Sequence, residues 1–484
     1  MRQRFDTNPV FQLVPIEKIE MPFDSRDELP PTLAGLQWIW CHATLKEQIF
    51  GLLERKILAD KKATGRTGMD LWQILVLGVT RLTLDADWDR MEHLANYDSL
   101  LRQMLGVPMA PWGYLDKKFN HQTLRDNVAL LDSALLKEIN CLVVGAGREE
   151  FKRSGEASDP LAIKVDTYVL ETDVHFPTDL NLLLDAGRKC LDLIGKYRDK
   201  FGYDLPGWRK IEDWQLRLKV GERVASKASS GGGKDKEKRE RAAVEDYLKV
   251  ARELSAKVGE SLWNLCNKGV ELLRWDRLSY FYAMLDKQID LVDRRRLQKQ
   301  VIPASEKVHS FFEPHTEWIN KGKQHPNVEL GHRLLIAVDQ DQLIHDYDIL
   351  LDQVDMGQSV PVADRLLGLY GQGRIASISF DKGFTKAEDR ELLGLYIPTV
   401  VMPKRGKKNQ AEAAAERAPK FVDLRQAHSA VESAINALEH HGLNRCLDIG
   451  LEGYARYAGL GVLAYNLHVI GRRVLENRAV ELAA

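Results

Sequence analysis

The sequence predicts a mixed α/β fold in which strand-forming stretches are separated by a long helical segment. Three observations lead to this. From about residue 40 to 145, apolar side chains recur at three- and four-residue spacing, the period of amphipathic helices. LAIKVDTYVLETDV (161–174) alternates instead and is rich in β-branched residues, the mark of a strand. Strand texture then returns only after about residue 305, beyond a long run of helical pattern.

Taken in order, residues 1–36 are broken by Pro9, Pro15, Pro22, Pro30 and Pro31 and are expected to be irregular. In MDLWQILVLGVTRLTL, Leu71, Ile74, Leu75, Gly78 and Val79 make one apolar face. DWDRMEHLANYDSLLRQMLG repeats the pattern and stops on a glycine, and FNHQTLRDNVALLDSALLKEI is a third helix. FPTDLNLLLDAGRKCLDLI opens another helix, capped by Thr178 or Asp179. Helical pattern runs on to about residue 300, interrupted by the Ser/Gly-rich SKASSGGGKDKEKRERA. VELGHRLLIAVDQDQLIHDYDILL reads as a hairpin turning at Asp339–Gln342. After it come helix PVADRLLGLYG, strand RIASISFD, helix KAEDRELLGLY, strand PTVVMP, helix VDLRQAHSAVESAINALEHHGL and a final helix, GYARYAGLGVLAYNLHVIGRRVL.

Length and composition narrow the function classes. A chain of 484 residues exceeds one ordinary core, so several domains are expected. No apolar run is long enough to span a membrane, and MRQRFDTNPVFQ lacks a signal-peptide core, so a cytoplasmic protein is expected. The five cysteines are scattered without a CxxC pair, which favours free thiols over a zinc framework or disulfides. With 69 basic against 70 acidic side chains, only local clusters of positive charge could hold a nucleic acid.

Three acids stand out. Asp166 lies in the first strand, and Asp381 ends a later strand just before Lys-Gly-Phe. Glu432 sits among apolar and small neighbours in VESAIN. Each alone has an ordinary reading as a turn or surface group. Together they suit phosphodiester cleavage, in which two divalent ions clamp the attacking and leaving oxygens. Mg²⁺ is held by a few carboxylates plus water and phosphate oxygens. Asp339 and Asp341 are rival ligands, although the VDQDQ turn accounts for them. His175 reads as a histidine fixing the turn before its helix. The run Lys404, Arg405, Lys407, Lys408 is either solvated surface or a grip on DNA backbone.

The stretches FEPHTEWINKGK, SFDKGF and HSAVESAINALEHHGLNRC resemble bacterial insertion-sequence transposases of the ISNCY group, within the DDE transposase superfamily. VDTYVLETDVHFPTD looks like their first-acid segment, and GRTGMDLWQILVLGVTRL like the start of their helical domain. The resemblance implies an RNase H-like catalytic domain at 151–180 and 305–475, a helical insertion at 181–304, and an N-terminal helical DNA-binding domain at 1–150. It implies Mg²⁺, or Mn²⁺ in its place, on Asp166, Asp381 and Glu432. The partners implied are double-stranded DNA (the element's terminal inverted repeats and the target) and further copies of the chain, at least a dimer, in a bacterial nucleoid. Lys321, Lys323, the 404–408 run, Arg425 and His428 are the candidate DNA contacts. One departure is that many relatives place Tyr, Arg and Lys seven before, four before and seven after the glutamate. Here those positions hold Arg425, His428 and Glu439, and Glu439 cannot serve as an anion partner. A silent DNA-binding remnant and a nuclease that cuts without joining are the alternatives.

Overall fold

The computed structural model describes residues 2–6, 13–59, 68–108, 118–151, 160–203, 205–271, 275–320 and 327–483. The first helices are α1 (Leu29–Cys41), α2 (Ala43–Ile57), α3 (Leu71–Thr83), α4 (Trp88–Tyr97), α5 (Ser99–Met104), α6 (His121–Val128) and α7 (Ser133–Gly147). α1 corrects the expectation of irregular chain up to residue 36. Pro30 and Pro31 occupy its first turn, where a missing N–H costs nothing because no intrahelical partner exists there. Two segments expected as single helices are each split by a cap. The Asp98 carboxylate accepts the Leu101 N–H, and Asp132 accepts that of Leu135, each starting a new helix. Every residue of α3 is buried, so it is a central helix rather than one with a single apolar face. Its Arg81 is tolerated there because Asp448 lies 2.9 Å away and Trp88 stacks on the guanidinium.

The strands are β1 (Leu161–Thr172), then β2 (Glu317–Asn320), β3 (Val328–Val338), β4 (Ile344–Leu350), β5 (Ile375–Phe380), β6 (Thr399–Val401) and β7 (Arg445–Cys446). They form one mixed sheet of order β2-β3-β1-β5-β6, with β4 on β3 and β7 on β1. β3 runs antiparallel to β1 and β4, whereas β1, β5 and β6 run parallel to one another. The hairpin turn falls where expected, between β3 and β4. Among the later helices, α12 (Ser359–Tyr370) and α13 (Ala387–Gly394) pack on one face through Val362, Leu366 and Leu393 against Ile163, Val165, Ile378 and Phe380. The other face carries Tyr168, Leu170, Leu334 and Ile336. They share one core with α1–α7, α16 (Ala430–Leu438) and α17 (Gly450–Ala483). Residues 1–173 and 319–484 are accordingly one compact unit, and the helices expected as a domain of residues 1–150 belong to it.

The second unit is residues 174–318. It holds α8 (Asp179–Phe201), α9 (Ile211–Ser230), α10 (Lys236–Asn267) and α11 (Asp276–Val292), around a core that includes Leu183, Leu218, Leu248, Leu254 and Phe281. Thr178 caps α8 in a reciprocal capping box with Asn181. His175 holds the preceding turn through Asp185, 2.5 Å away, and Asn181. Trp318, whose size favours burial, is instead 42% exposed, its ring against Phe176 and His309. α14 (Gln410–Arg417) and α15 (Pro419–His428) complete the first unit. The segment expected as one helix from 422 to 443 is two, α15 and α16, broken at Ser429. It ends in a turn at Glu439–Leu443 in which Gly442 takes φ +85°.

Candidate active site

The parallel pairing of β1 and β5 sets Val165 beside Phe380, one residue before Asp166 and Asp381 respectively. Neighbouring strands stand about 4.8 Å apart, so this register brings the two aspartates to adjacent places on the sheet. Paired residues point to the same side. Val165 and Phe380 enter the apolar core beneath, so the aspartates belong to the opposite face, with Ser377 and Ser379. The alternation of faces along β5 breaks at its start. Leu161 pairs with Ile375 and Ala162 with Ser377, so Ala376 is bulged out. Ile375 therefore joins Ile378 and Phe380 in the core instead of sharing the face of Asp381.

The field at Asp166 shows which acids converge. Burial, foremost, raises its carboxyl to about 6, and the charges of Asp381, Asp355 and Glu432 push it the same way. The Thr167 N–H, donated to Oδ1 at 2.8 Å, pulls against them. Asp381 and Glu432, the other two acids singled out from the sequence, thus both act on Asp166. Asp166 is half-buried, whereas Asp381 and Glu432 are exposed, so the cluster opens to solvent. Glu432 is in the first turn of α16, where a carboxylate is favoured by the helix dipole.

Asp355 is the member sequence reasoning missed. It lies in the Gly-containing DQVDMG loop after β4, with no periodicity to mark it. Its Oδ1 accepts the Thr167 hydroxyl at 2.7 Å, and Arg333 is 3.7 Å away. It also explains Gly383. That glycine is not in the left-handed region, but a Cβ there would come within 2.9 Å of Asp355 Oδ2. Its role is therefore to leave space for a carboxylate; the tight turn after Asp381 is a short 3₁₀ segment, Lys382–Phe384.

Other candidates divide. His428 reaches the cluster: its Nδ1 is 2.9 Å from the Ser379 hydroxyl, and Nε2 is buried without a hydrogen-bond partner among the described residues. Burial lowers its affinity for a proton, against the pull of Asp381. Ser379 and Ser377, small side chains on the strand that leads to Asp381, are buried and so leave no open space for substrate beside it. Lys404 is spoken for by Glu412 at 2.7 Å, and Lys408 by Glu416. Arg405, Lys407 and Arg425 are exposed. Lys321 and Lys323 lie outside the described residues. Asp339 is not part of the cluster's field. It is fully buried and accepts the N–H groups of Asp341 and Leu343 and a hydrogen bond from His345 Nε2. No helix among the described residues is long and apolar enough to cross a membrane. Compared with protein-family models, curated proteins and solved structures, the chain matches none.

Proposed function

We propose that this chain is a DDE-type DNA transposase that cuts at the terminal repeats of its element and joins the freed ends to target DNA. The observation that carries the reading is that Asp381, at the end of the adjacent strand, and Glu432, in the first turn of a helix, both act electrostatically on Asp166. The sheet, mixed and covered by helices on both faces, supports the RNase H-like architecture that the resemblance leads one to expect. The donor set fits Mg²⁺: hard carboxylate oxygens in a half-buried, solvent-facing cluster. Asp166, Asp381 and Glu432 would hold the metal, with Asp355 alongside. When bound, it neutralises charge on the reacting phosphate and activates water or a 3′-hydroxyl. The chain's own part is positioning. Asp166 is anchored inside a strand paired on both sides, and Asp381 sits at a strand end. Thr167 and Arg333 orient Asp355, and His428 is steadied by Ser379. Arg405, Lys407 and Arg425 are exposed cations that would meet DNA phosphates, and the N-terminal helices would read the repeats.

Labelled terminal-repeat DNA with Mg²⁺, wild type beside Asp381→Ala, tests this. Cleavage and joining that vanish in the variant are expected. Binding without cleavage by the wild type would leave a silent DNA-binding protein, and cleavage without joining a nuclease.

A further inference from the structure

Away from the acid cluster, three metal-ligating side chains meet where α1, the turn after α16 and α17 come together. Glu28 immediately precedes α1, His441 lies in the Glu439–Leu443 turn, and His468 is in α17. One ligand atom from each lies within 4.8 Å of the other two. His468 Nε2 and Glu28 Oε2 are 3.3 Å apart. That is about the separation of two ligands each roughly 2.0–2.1 Å from a tetrahedral ion. Both histidines are buried, at 6% and 8% exposure.

The rings are aimed by oxygen partners on their far sides. His441 Nδ1 lies 2.7 Å from the Thr83 carbonyl oxygen. A carbonyl only accepts, so Nδ1 carries the proton and the neutral ring keeps its lone pair on Nε2. His468 Nδ1 lies 3.3 Å from the Thr32 hydroxyl, which donates to the Glu28 carbonyl oxygen. With the hydroxyl proton so placed, Thr32 accepts from His468 Nδ1–H, and the Nε2 lone pair faces Glu28. Without a metal the other tautomer donates Nε2–H to Glu28, and the hydroxyl serves either form. Outer oxygen partners of this kind fix the tautomer and direction of metal-bound histidines.

The backbone holds these groups in place. A Cβ on Gly35 would overlap the Leu467 carbonyl oxygen, and one on Gly471 that of Pro31. α1 and α17 therefore touch backbone to backbone on both sides of His468. A cavity of about 530 Å³, lined also by Tyr465, Arg472 and Glu476, borders the three ligands and gives an ion a way in.

We propose that Glu28, His441 and His468 form a zinc site whose fourth position opens to this cavity. Two imidazoles and one carboxylate are a borderline N/O set that suits Zn²⁺, whereas the all-carboxylate cluster suits Mg²⁺. His441 continues directly from α16, so the ion ties the far end of the Glu432 helix to α1 and α17. The site stands on its own residues, independently of the transposase reading.

The test is zinc binding by the full chain, stripped with chelator and then held in excess Mg²⁺. Metal content and competition against a chromophoric chelator are the readouts. One zinc per chain is expected in the wild type and equally in Asp381→Asn. Affinity falls at least about 100-fold in His468→Ala and in Glu28→Gln, and about 10-fold in Thr32→Val, where only an outer partner is lost. Zinc should raise the melting temperature of the wild type and not of Glu28→Gln, an isosteric change at a partly exposed position. No zinc retained by the wild type, undiminished binding by Glu28→Gln and His468→Ala, or loss confined to Asp381→Asn would each overturn the proposal.

Discussion

Asp166 and Asp339 are both carboxylates carried by the same sheet, and their surroundings are opposite. Asp339 is fully buried, yet each oxygen is answered: two backbone N–H groups on Oδ1 and the His345 ring on Oδ2 at 2.9 Å. Asp166 keeps some exposure, receives one local N–H, and otherwise faces three carboxylates of its own sign. A satisfied buried acid closes a turn. One raised by burial and by like charge is a place where a cation would be favoured. That contrast separates two residues that the sequence offered as rival metal ligands.

The largest expected break in the comparison is functional. Asp381→Asn or Glu432→Gln should lower Mg²⁺-dependent strand cleavage by about 1000-fold or more, the scale of removing transition-state stabilisation worth about 4 kcal/mol. Asp339→Ala should leave cleavage by the folded fraction intact. It should cost stability instead, on the order of 2–4 kcal/mol, because it strands a buried histidine and two N–H groups. Denaturant unfolding beside cleavage rates checks both halves, and equal loss of cleavage by the two would collapse the distinction.

A pH series sharpens it. The folded-state value of Asp166, about 6, lies above the ordinary 3.8, so the folded protein binds this proton more tightly than the unfolded chain. Its contribution to stability is therefore fully present below about pH 4, is lost as pH rises towards 6, and leaves a penalty above that. Without metal, Asp166→Asn should melt higher than wild type at pH 7, by the equivalent of about 1–3 kcal/mol. The advantage should vanish near pH 4, and melts across pH 4–8 in chelator measure it. A variant less stable than wild type at pH 7 would contradict the origin given for the shift.

Smaller effects should appear among the basic residues. Arg405→Ala and Lys407→Ala should each weaken DNA binding and reduce the slope of log K against log salt by about 1. Lys404→Ala and Lys408→Ala should do less, since Glu412 and Glu416 already engage those ammonium groups. Equal slopes for all four would show that the internal ion pairs open on DNA. Smallest of all, Gly383→Ala should press on Asp355 and slow cleavage a few-fold with little change in melting temperature.

Much of this was legible where the signal is local. The alternation of β1, the turn between β3 and β4, the Thr178 cap and the strand ending at Asp381 all follow from period and turn chemistry within a few residues. The three acids were legible as candidates on strands and a helix, and their grouping came from the chemistry they would serve and from the resemblance. Long-range contacts were not. α1 was obscured by prolines that do no harm in a first turn. The β5 bulge is a matter of pairing with β1. Asp355 is brought in by Thr167 from a loop far along the chain. The Glu28, His441 and His468 group joins three segments that no spacing connects.

By itself, then, the sequence determined most of the strand and helix stretches, and that Asp166 and Asp381 ride on strands and Glu432 on a helix, because those properties depend on neighbours within a turn or two. Only the tertiary structure decided which of the acids share a field and which are individually satisfied. It also decided which lysines are already paired and where two histidines and a glutamate meet. The physical reason is that burial and charge act through space. A carboxylate is a structural acceptor or a ligand in waiting according to what the rest of the chain packs against it.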